Sequence, residues 1–260
     1  MKNIIYTVAM DDGGTPYHLW MAMLLISSIR RSGFDGKVML FTDAEDEPFA
    51  DWRSDVEQVR VELTAEQKAA SAVFRVKYLV ADLLPRDADW LMYMDPDCLV
   101  AKNPALALDT DAEVLFAEEP WDRVTGGQNN AYLTDEEMKT CTHVAINAGF
   151  YAHRGHCYHE FVERWKGHER TTPPRKNLAF DQPPFVRTIL DWEGKVQPFR
   201  EPFSVLYPEY QDVRLSGMQR AGLLHFNGVR APEKLRRMLG FYMMRYGESA
   251  MPFIAELLKG

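Results

Sequence analysis

A run of five apolar residues, Trp90–Met94, leads directly into the tripeptide Asp95-Pro96-Asp97, and this junction constrains the fold more than any other part of the sequence. A strand without polar alternation is typical of a parallel sheet that is covered on both faces. Other apolar runs of strand length alternate along the chain with helical patterns. We therefore predict an α/β fold with a mostly parallel central sheet flanked by helices.

Further elements follow from periodicity and from turn residues. A helix is predicted between Thr15-Pro16 and Gly33, and a second one between a capping box at Thr64–Gln67 and Pro85. The polar stretch Glu118–Lys139 is predicted to be one long connection, which in a compact domain is usually functional. Strands are predicted at Ile4–Ala9, Lys37–Thr42, Val56–Val61, Glu113–Ala117, Val144–Ala152 and Leu223–Phe226.

Length and composition indicate an ordinary globular protein. With 260 residues and 46% hydrophobic residues, the chain can bury a large core. We expect a single domain over residues 1–260, with a helical C-terminal segment at 232–260. The net charge is −8 and no dense run of Lys and Arg occurs, so we expect no nucleic-acid partner.

The three cysteines indicate a reducing compartment. Cys98, Cys141 and Cys157 are odd in number and show no CxxC spacing, so we expect free thiols rather than disulfides. The apolar run at the N-terminus is too short for a signal-peptide core or a membrane span. A cytoplasmic location is therefore expected.

The two carboxylates of Asp95-Pro96-Asp97 point to metal chemistry. In open α/β sheets, ligands lie beyond the carboxyl ends of the strands. Proline favours an extended conformation at Asp95, and residues two apart in an extended segment point to the same side. Adjacent carboxylates repel unless a cation or a proton neutralises them, and their oxygens suit Mg²⁺ or Mn²⁺. A solvated turn is the alternative.

Several short segments follow one another in an order that is typical of one enzyme family. They are Val8–Asp12, Phe74–Tyr78, Leu83–Pro85, Trp90–Val100, Ile146–Phe150, Phe180–Gln182 and Leu224–Gly228. Together they resemble the retaining glycosyltransferases of family 8, which include bacterial lipopolysaccharide galactosyl- and glucosyltransferases and, more distantly, glycogenin. The resemblance implies a GT-A fold, a nucleoside-diphosphate sugar donor that is usually UDP-linked, and transfer of a hexose with retention to a glycan or lipid-linked acceptor.

The resemblance implies a metal site and a sugar site. Asp95 and Asp97 would hold the ion with His225 as third ligand, and the imidazole favours Mn²⁺ over Mg²⁺. A buried core histidine is the alternative for His225. Asn147 and Asp181 would bind hydroxyls of the transferred sugar, and Gln182 would lie close to the anomeric centre. A β-bulge at Asn147 and a helix N-cap at Asp181 are the structural alternatives for these two residues.

The resemblance also implies contacts to the nucleotide. Ala9 and Asp11 would contact the base, Arg75 would lie near the donor, and Gly228 would let the backbone approach the diphosphate. Because Lys77 lies two residues after Arg75, the two side chains cannot face the same way on one helix, and Lys77 is expected to be solvated or salt-bridged.

One position departs from the family pattern. Three residues after Gly228 the family has a lysine that grips the diphosphate, whereas this chain has Ala231. Of the cationic residues nearby, Arg230, Lys234 and Arg236, we favour Arg230 as the substitute.

Other functions and other histidines are less well supported. No GxGxxG and no GxxxxGK[ST] motif occurs, which argues against a dinucleotide oxidoreductase and a P-loop hydrolase. The alternatives left open are a sugar-nucleotide nucleotidylyltransferase and a nucleotide-sugar-binding protein without turnover. His153, His156 and His159 are expected at the surface. The basic and aromatic stretch 234–245 is suited either to peripheral contact with an anionic membrane or to packing on a sheet edge.

Overall fold

The structure is a computed structural model of the 260-residue chain. It describes residues 2–11, 14–44, 55–64, 76–123, 132–141, 144–171, 181–208, 220–228, 230–247 and 255, with the backbone alone at 120–123 and 144.

The strands form two sheets. Seven strands make a mostly parallel sheet in the order β3-β2-β1-β4-β7-β6-β8, and three make a smaller sheet in the order β5-β10-β9. The α/β fold with a mostly parallel central sheet is therefore confirmed. The strands are β1 Asn3–Ala9, β2 Lys37–Thr42, β3 Val56–Arg60, β4 Trp90–Met94, β5 Cys98–Val100, β6 Val114–Arg123, β7 Val144–Arg154, β8 Val196–Pro198, β9 Ser204–Leu206 and β10 Ala221–His225.

The helices of the described residues are α1 Tyr17–Arg31, α2 Val76–Leu79, α3 Asp135–Thr140, α4 Gly155–Thr171, α5 Gln182–Leu190 and α6 Ala231–Tyr246, with 3₁₀ turns at Val80–Leu83 and Pro104–Ala107. After α1, Gly33 has φ +86°, a conformation that glycine adopts at little cost. The capping box predicted at Thr64–Gln67 lies mostly outside the described residues.

The polar stretch 118–139 contains more regular structure than its composition predicts. Strand β6 continues to Arg123, and α3 begins after Thr134. The Thr134 hydroxyl accepts a hydrogen bond from the Glu137 N–H, and the Glu137 carboxylate accepts one from the Thr134 N–H. This reciprocal capping box explains why a helix begins in a segment that we predicted to be a connection.

Contacts within the chain divide it into two compact units. The first comprises Met1–Ile4, Leu63–Tyr93 and Asp109–Phe199, and the second comprises Ile5–Glu62, Met94–Leu108 and Arg200–Gly260. The single domain over residues 1–260 stays a prediction.

The core of the first unit is rich in aromatic side chains. Helices α4 and α5 pack against each other, with the Trp165 and Phe185 ring centroids 4.9 Å apart. The ring centroid of Tyr151, in β7, lies 5.0 Å from that of Phe185, and all three residues are buried. Aromatic pairs at these separations contribute about 0.5–1.5 kcal/mol beyond the burial of their surface.

In the second unit, α1 is tied to α6 and to the short strand β5. The hydroxyl oxygens of Ser27 and Tyr242 are 2.5 Å apart, and the Val100 N–H donates to the Ser28 hydroxyl at 2.9 Å. The Arg31 guanidinium lies over the rings of Tyr242 and Tyr246. These contacts cover one face of α6.

Helix α6 contains most of the stretch that we considered for membrane contact. Leu235, Met238 and Tyr242 are buried, whereas Met244 is 57% exposed. The helix packs against α1 and β5, as expected for a segment lying on a sheet edge. Peripheral membrane contact through 234–245 stays a prediction. Among the described residues, no helix is both long enough and apolar enough to cross a bilayer.

The three cysteines are free, as predicted; Cys98 and Cys157 are buried, and Cys141 is half-buried. The prediction for His153 is wrong: the residue is fully buried. We predicted that the strand ends at Ala152, but β7 continues to Arg154 and keeps His153 in the sheet.

His153 is buried without polar compensation. Its ring lies 4.3 Å from that of Phe161 and 5.1 Å from that of Tyr151, measured between centroids. Within the described part of the chain, neither ring nitrogen has a hydrogen-bond partner. Burial lowers the pKa of His153 to about 3. The folded state therefore holds the neutral form, while the unfolded chain takes up a proton below about pH 6.5.

This burial predicts acid sensitivity. Between pH 7 and pH 5 the unfolded state binds a proton at His153 and the folded state does not, so the free energy of unfolding falls by about 2 kcal/mol from this residue. Urea unfolding at both pH values measures this loss. Between pH 7 and pH 5 we expect the free energy of unfolding of His153→Phe to fall by about 2 kcal/mol less than that of the wild type. Equal losses in wild type and variant would contradict the prediction. His156→Phe, at an exposed position, is the control.

Candidate functional site

The Asp95-Pro96-Asp97 segment forms a turn. The Cys98 N–H donates to the Asp95 carbonyl at 3.1 Å, which places Pro96 at the second position of the turn. We predicted an extended segment here. The fixed φ of proline suits the second position of a β-turn equally well, so the chain reverses its direction. Both carboxylates nevertheless approach the same imidazole.

That imidazole belongs to His225 at the end of β10. Strand β10 pairs antiparallel with β5, in a register that sets His225 opposite Cys98. The Phe226 N–H continues the pairing and donates to the Asp97 carbonyl at 2.9 Å. A residue from late in the sequence is thereby held beside the turn by backbone hydrogen bonds.

The distances fit a shared divalent cation. His225 Nε2 lies 3.3 Å from Asp97 Oδ1 and 3.8 Å from Asp95 Oδ2. Two ligands at right angles around an ion with bonds of about 2.1 Å lie about 3 Å apart. Asp97 and His225 are buried, and among the described residues Asp97 Oδ1 has no hydrogen-bond partner. A carboxylate oxygen without a hydrogen-bond partner and the imidazole nitrogen that faces it are a suitable pair of metal ligands.

A thiol belongs to the same neighbourhood. Ligand atoms of Asp97, Cys98 and His225 all lie within 4.8 Å of one another. Oxygen and imidazole donors suit Mn²⁺ or Mg²⁺, whereas a thiolate would favour a softer ion. The residues therefore fit a divalent ion, and its identity depends on whether Cys98 takes part.

Lys234, in the first turn of α6, completes what we call the Asp97 cluster: Asp95, Asp97, His225 and Lys234. Its ammonium pairs with Asp97 Oδ2. Burial opposes ionisation of Asp97, but Lys234 and His225 outweigh it and hold the pKa of that carboxyl well below its usual range. Burial likewise opposes the charge on Lys234, and Asp97 outweighs it, so the pKa of the ammonium is raised. Both groups are charged.

Asp11 lies at the N-terminus of α1, also in the second unit. Its carboxylate accepts hydrogen bonds from the backbone N–H groups of His18 and Leu19, both at 3.0 Å. The His18 ring nitrogen Nδ1 is 2.9 Å from the same carboxylate, and this hydrogen bond raises the pKa of His18. Ala9, the last residue of β1, is fully buried. Contact of Ala9 and Asp11 with a base stays a prediction.

In the first unit, Asp181 forms a buried ion pair. Lys77 Nζ lies 2.5 Å from Asp181 Oδ2, donates to the Ala148 carbonyl at 3.1 Å and lies over the Tyr93 ring. Both side chains are 7% exposed. Asp181 is the N-cap residue of α5, but its side chain makes no capping hydrogen bond.

Asn147 and Gln182 lie on the two sides of a β-bulge. In the β6–β7 pairing, the partner of Phe116 is Tyr151 and that of Ala117 is Asn147, so part of β7 is left out of register. Asn147 Nδ2 donates to Glu119 at 2.7 Å, and the Ala148 N–H points to Gln182 Oε1 at 3.4 Å. The bulge considered for Asn147 is therefore present. A bulge often re-aims side chains beside a functional site.

Of the remaining predicted residues, Gly228 and Arg230 lie within the described part of the chain and Arg75 does not. Gly228 has φ +87°, a conformation that a side chain would strain. Arg230 is exposed at the N-cap of α6. Arg75 lies outside the described residues, as do residues 124–131 of the connection predicted at Glu118–Lys139. The sequence analysis missed Glu119, and it named Lys234 as a possible substitute for the family's lysine but favoured Arg230, although Lys234 follows Ala231 by three residues on the same side of a helix.

The fold is that of GT-A glycosyltransferases. The galactosyltransferase LgtC, solved with donor and acceptor sugar analogs, matches with a TM-score of 0.57 and 12% identity, over 92% of this chain and 95% of that one. An active-site mutant of LgtC gives a TM-score of 0.61 at 13% identity, over the same shares of the two chains. A glycosyltransferase involved in the glycosylation of the major capsid of PBCV-1 gives 0.56 and 14%, over 92% and 100%.

The bifunctional glycosyltransferase WbbM also matches, at a TM-score of 0.59 and 11% identity, over 93% of this chain and 50% of that one. No family model and no curated protein matches the sequence. At such low identities the structural matches establish the fold, and the activity has to be argued from the residues.

The buried pair Lys77–Asp181 predicts a large loss of stability on Lys77→Met. Removing the ammonium takes a counterion away from a buried carboxylate, which typically costs about 3–5 kcal/mol. Urea unfolding measures this loss. We expect the second substitution Asp181→Asn to recover more than half of it.

The control is Lys139→Met, which breaks an exposed pair with Glu136 and should change stability by less than about 1 kcal/mol. A loss at Lys77 as small as that at Lys139 would contradict the prediction.

Proposed function

We propose that the chain is a metal-dependent retaining glycosyltransferase, which moves a hexose from a nucleoside-diphosphate sugar to a glycan or lipid-linked acceptor. UDP is the proposed nucleotide, as the family resemblance implies. One observation carries the proposal: His225 Nε2 lies 3.8 Å from Asp95 Oδ2 and 3.3 Å from Asp97 Oδ1, in a chain with the fold of glycosyltransferases.

The metal role rests on the Asp97 cluster. Asp95, Asp97 and His225 would hold the ion, with Mn²⁺ favoured over Mg²⁺ because one ligand is an imidazole. A divalent ion on a diphosphate stabilises the charge that builds on the leaving group. Gly228, with its positive φ and lack of a side chain, would allow the backbone to approach that diphosphate.

The sugar role rests on Asn147, Asp181 and Gln182. Lys77 provides Asp181 with a counterion, and an ionised carboxylate is a strong acceptor for sugar hydroxyls. Gln182 is proposed to lie close to the anomeric centre. Its amide is a poor nucleophile, which favours transfer on the face from which the nucleotide leaves over a covalent intermediate on this residue.

The alternative of a binding protein without turnover rested on Ala231. The structure weakens this support, since Lys234 provides a cation within the same helical turn and directly beside Asp97.

Nucleotide binding is expected to require a metal. With Mn²⁺ and UDP at about a hundred times its Kd, linkage predicts about 2.7 kcal/mol of added stability, seen as a rise in Tm of several degrees. With EDTA, or in Asp97→Ala, the rise should disappear. Asp111→Ala, at an exposed carboxylate paired with Lys195, is the control and should keep it. An equal rise in EDTA would refute the metal model.

Turnover is tested separately from binding. We expect slow release of UDP from UDP-galactose or UDP-glucose in the presence of Mn²⁺, followed by coupled assay, because water can replace the acceptor in many transferases. Gln182→Ala should lower this rate by more than about tenfold while UDP binding stays within about twofold. Metal-dependent binding of UDP and UDP-sugars without any release would favour the binding protein.

A further inference from the structure

The ammonium of Lys234 occupies a defined place in the Asp97 cluster. It pairs with Oδ2 of Asp97, while Oδ1 of the same carboxylate faces His225 Nε2 at 3.3 Å. An ion bound by Oδ1 and the imidazole would therefore leave the bond to Lys234 intact. The lysine and the ion would use different oxygens of one carboxylate and would lie within a few ångströms of each other.

Two positive groups so close repel each other unless negative charge lies between them. Near a protein surface two such charges a few ångströms apart still repel each other appreciably. The Asp97 carboxylate offsets part of it, and Asp95 offers a second carboxylate. A diphosphate bound to the ion would add negative charge next to the ammonium and turn the repulsion into attraction.

Lys234 has the capacity for such a contact. An ammonium carries three donors, and the bond to Asp97 uses one of them. The side chain is 20% exposed, so it is reached by solvent. The residue lies in the first turn of the 16-residue helix α6, where backbone N–H groups add positive potential. Ala231 and Lys234 are three residues apart on this helix, and side chains at that spacing are neighbours.

We propose that Lys234 binds the diphosphate of the donor and couples its binding to that of the metal. Without nucleotide, the ammonium weakens the binding of a divalent ion to Asp97. With nucleotide, ion and lysine share the diphosphate, so the two ligands bind cooperatively. This inference rests on the proposed function. It assigns to Lys234 the contact with the diphosphate that we predicted from the sequence for Arg230.

The test measures two affinities in each of five proteins: wild type, Lys234→Gln, Lys234→Arg, Arg230→Gln and Arg236→Met. The affinity for Mn²⁺ is measured by electron paramagnetic resonance of the free ion, with and without saturating UDP. The affinity for UDP is measured by calorimetry at saturating Mn²⁺. Glutamine can still donate to Asp97 but carries no charge. Arg236→Met removes one charge from the same helix at a side chain that is 75% exposed.

In Lys234→Gln we expect Mn²⁺ to bind several-fold more tightly without UDP and no more tightly with it, so the factor by which UDP strengthens Mn²⁺ binding falls several-fold. UDP at saturating Mn²⁺ should bind about tenfold more weakly. Lys234→Arg should keep most of this factor, and Arg236→Met all of it. Should the glutamine variant fail to fold, the arginine variant still decides, because loss of the factor with the charge retained would overturn the proposal.

Unchanged affinities for Mn²⁺ and UDP in Lys234→Gln would also overturn the proposal. So would a roughly tenfold loss of UDP affinity in Arg230→Gln if Lys234→Gln showed no loss. The proposed function fails on a different result, namely wild type that binds no UDP with or without Mn²⁺. A third result separates the two proposals: the wild type binds UDP only with Mn²⁺, and both affinities are the same in Lys234→Gln. That result would support the proposed function and refute only the role of Lys234.

Discussion

The pairing of β10 with β5 is the constraint on which the candidate metal site depends. Strand β5 has only three residues, and its register with β10 sets His225 opposite Cys98, one residue beyond Asp97. Buried carboxylates are costly unless positive charge or hydrogen bonds compensate them. Here the strand register supplies the imidazole and the start of α6 supplies the ammonium. The turn that begins at Asp95 can therefore bury Asp97 in its ionised form.

The same compensation of a buried aspartate by a lysine occurs in both units. In the first unit Lys77 compensates Asp181, and in the second Lys234 compensates Asp97; each pair is drawn from distant parts of the sequence. In both pairs the aspartate is the residue to which the family resemblance assigns a ligand, and the lysine is one that it leaves without a role. A charged and oriented carboxylate is ready to accept a metal or a hydroxyl without first losing a proton.

Much of the fold follows from the sequence because its strands are strongly apolar. Trp90–Met94 and Lys37–Thr42 were predicted with their observed bounds, and the burial of both strands explains why periodicity was a good guide. The short strands β5 and β9 escaped prediction, since three residues carry no readable period. His153 was misplaced because its strand runs two residues further than its apolar pattern.

The residues of the candidate site were likewise predicted only in part from the sequence. Motif order was enough to select Asp95, Asp97 and His225, and in the structure His225 Nε2 lies 3.8 Å from Asp95 Oδ2 and 3.3 Å from Asp97 Oδ1. Lys234 could not be selected, because its relevance depends on the direction in which α6 leaves Gly228 and on a contact more than a hundred positions away in the chain. Composition and spacing report nothing about such contacts.

The most direct test of the central claim is a crystal grown with Mn²⁺ and UDP and measured at the manganese absorption edge. We predict one anomalous peak bonded, at about 2.0–2.3 Å, to Asp97 Oδ1, Asp95 Oδ2 and His225 Nε2, with the diphosphate on the same ion. Nucleotide bound with no anomalous peak at these residues, or with the ion held elsewhere, would contradict it.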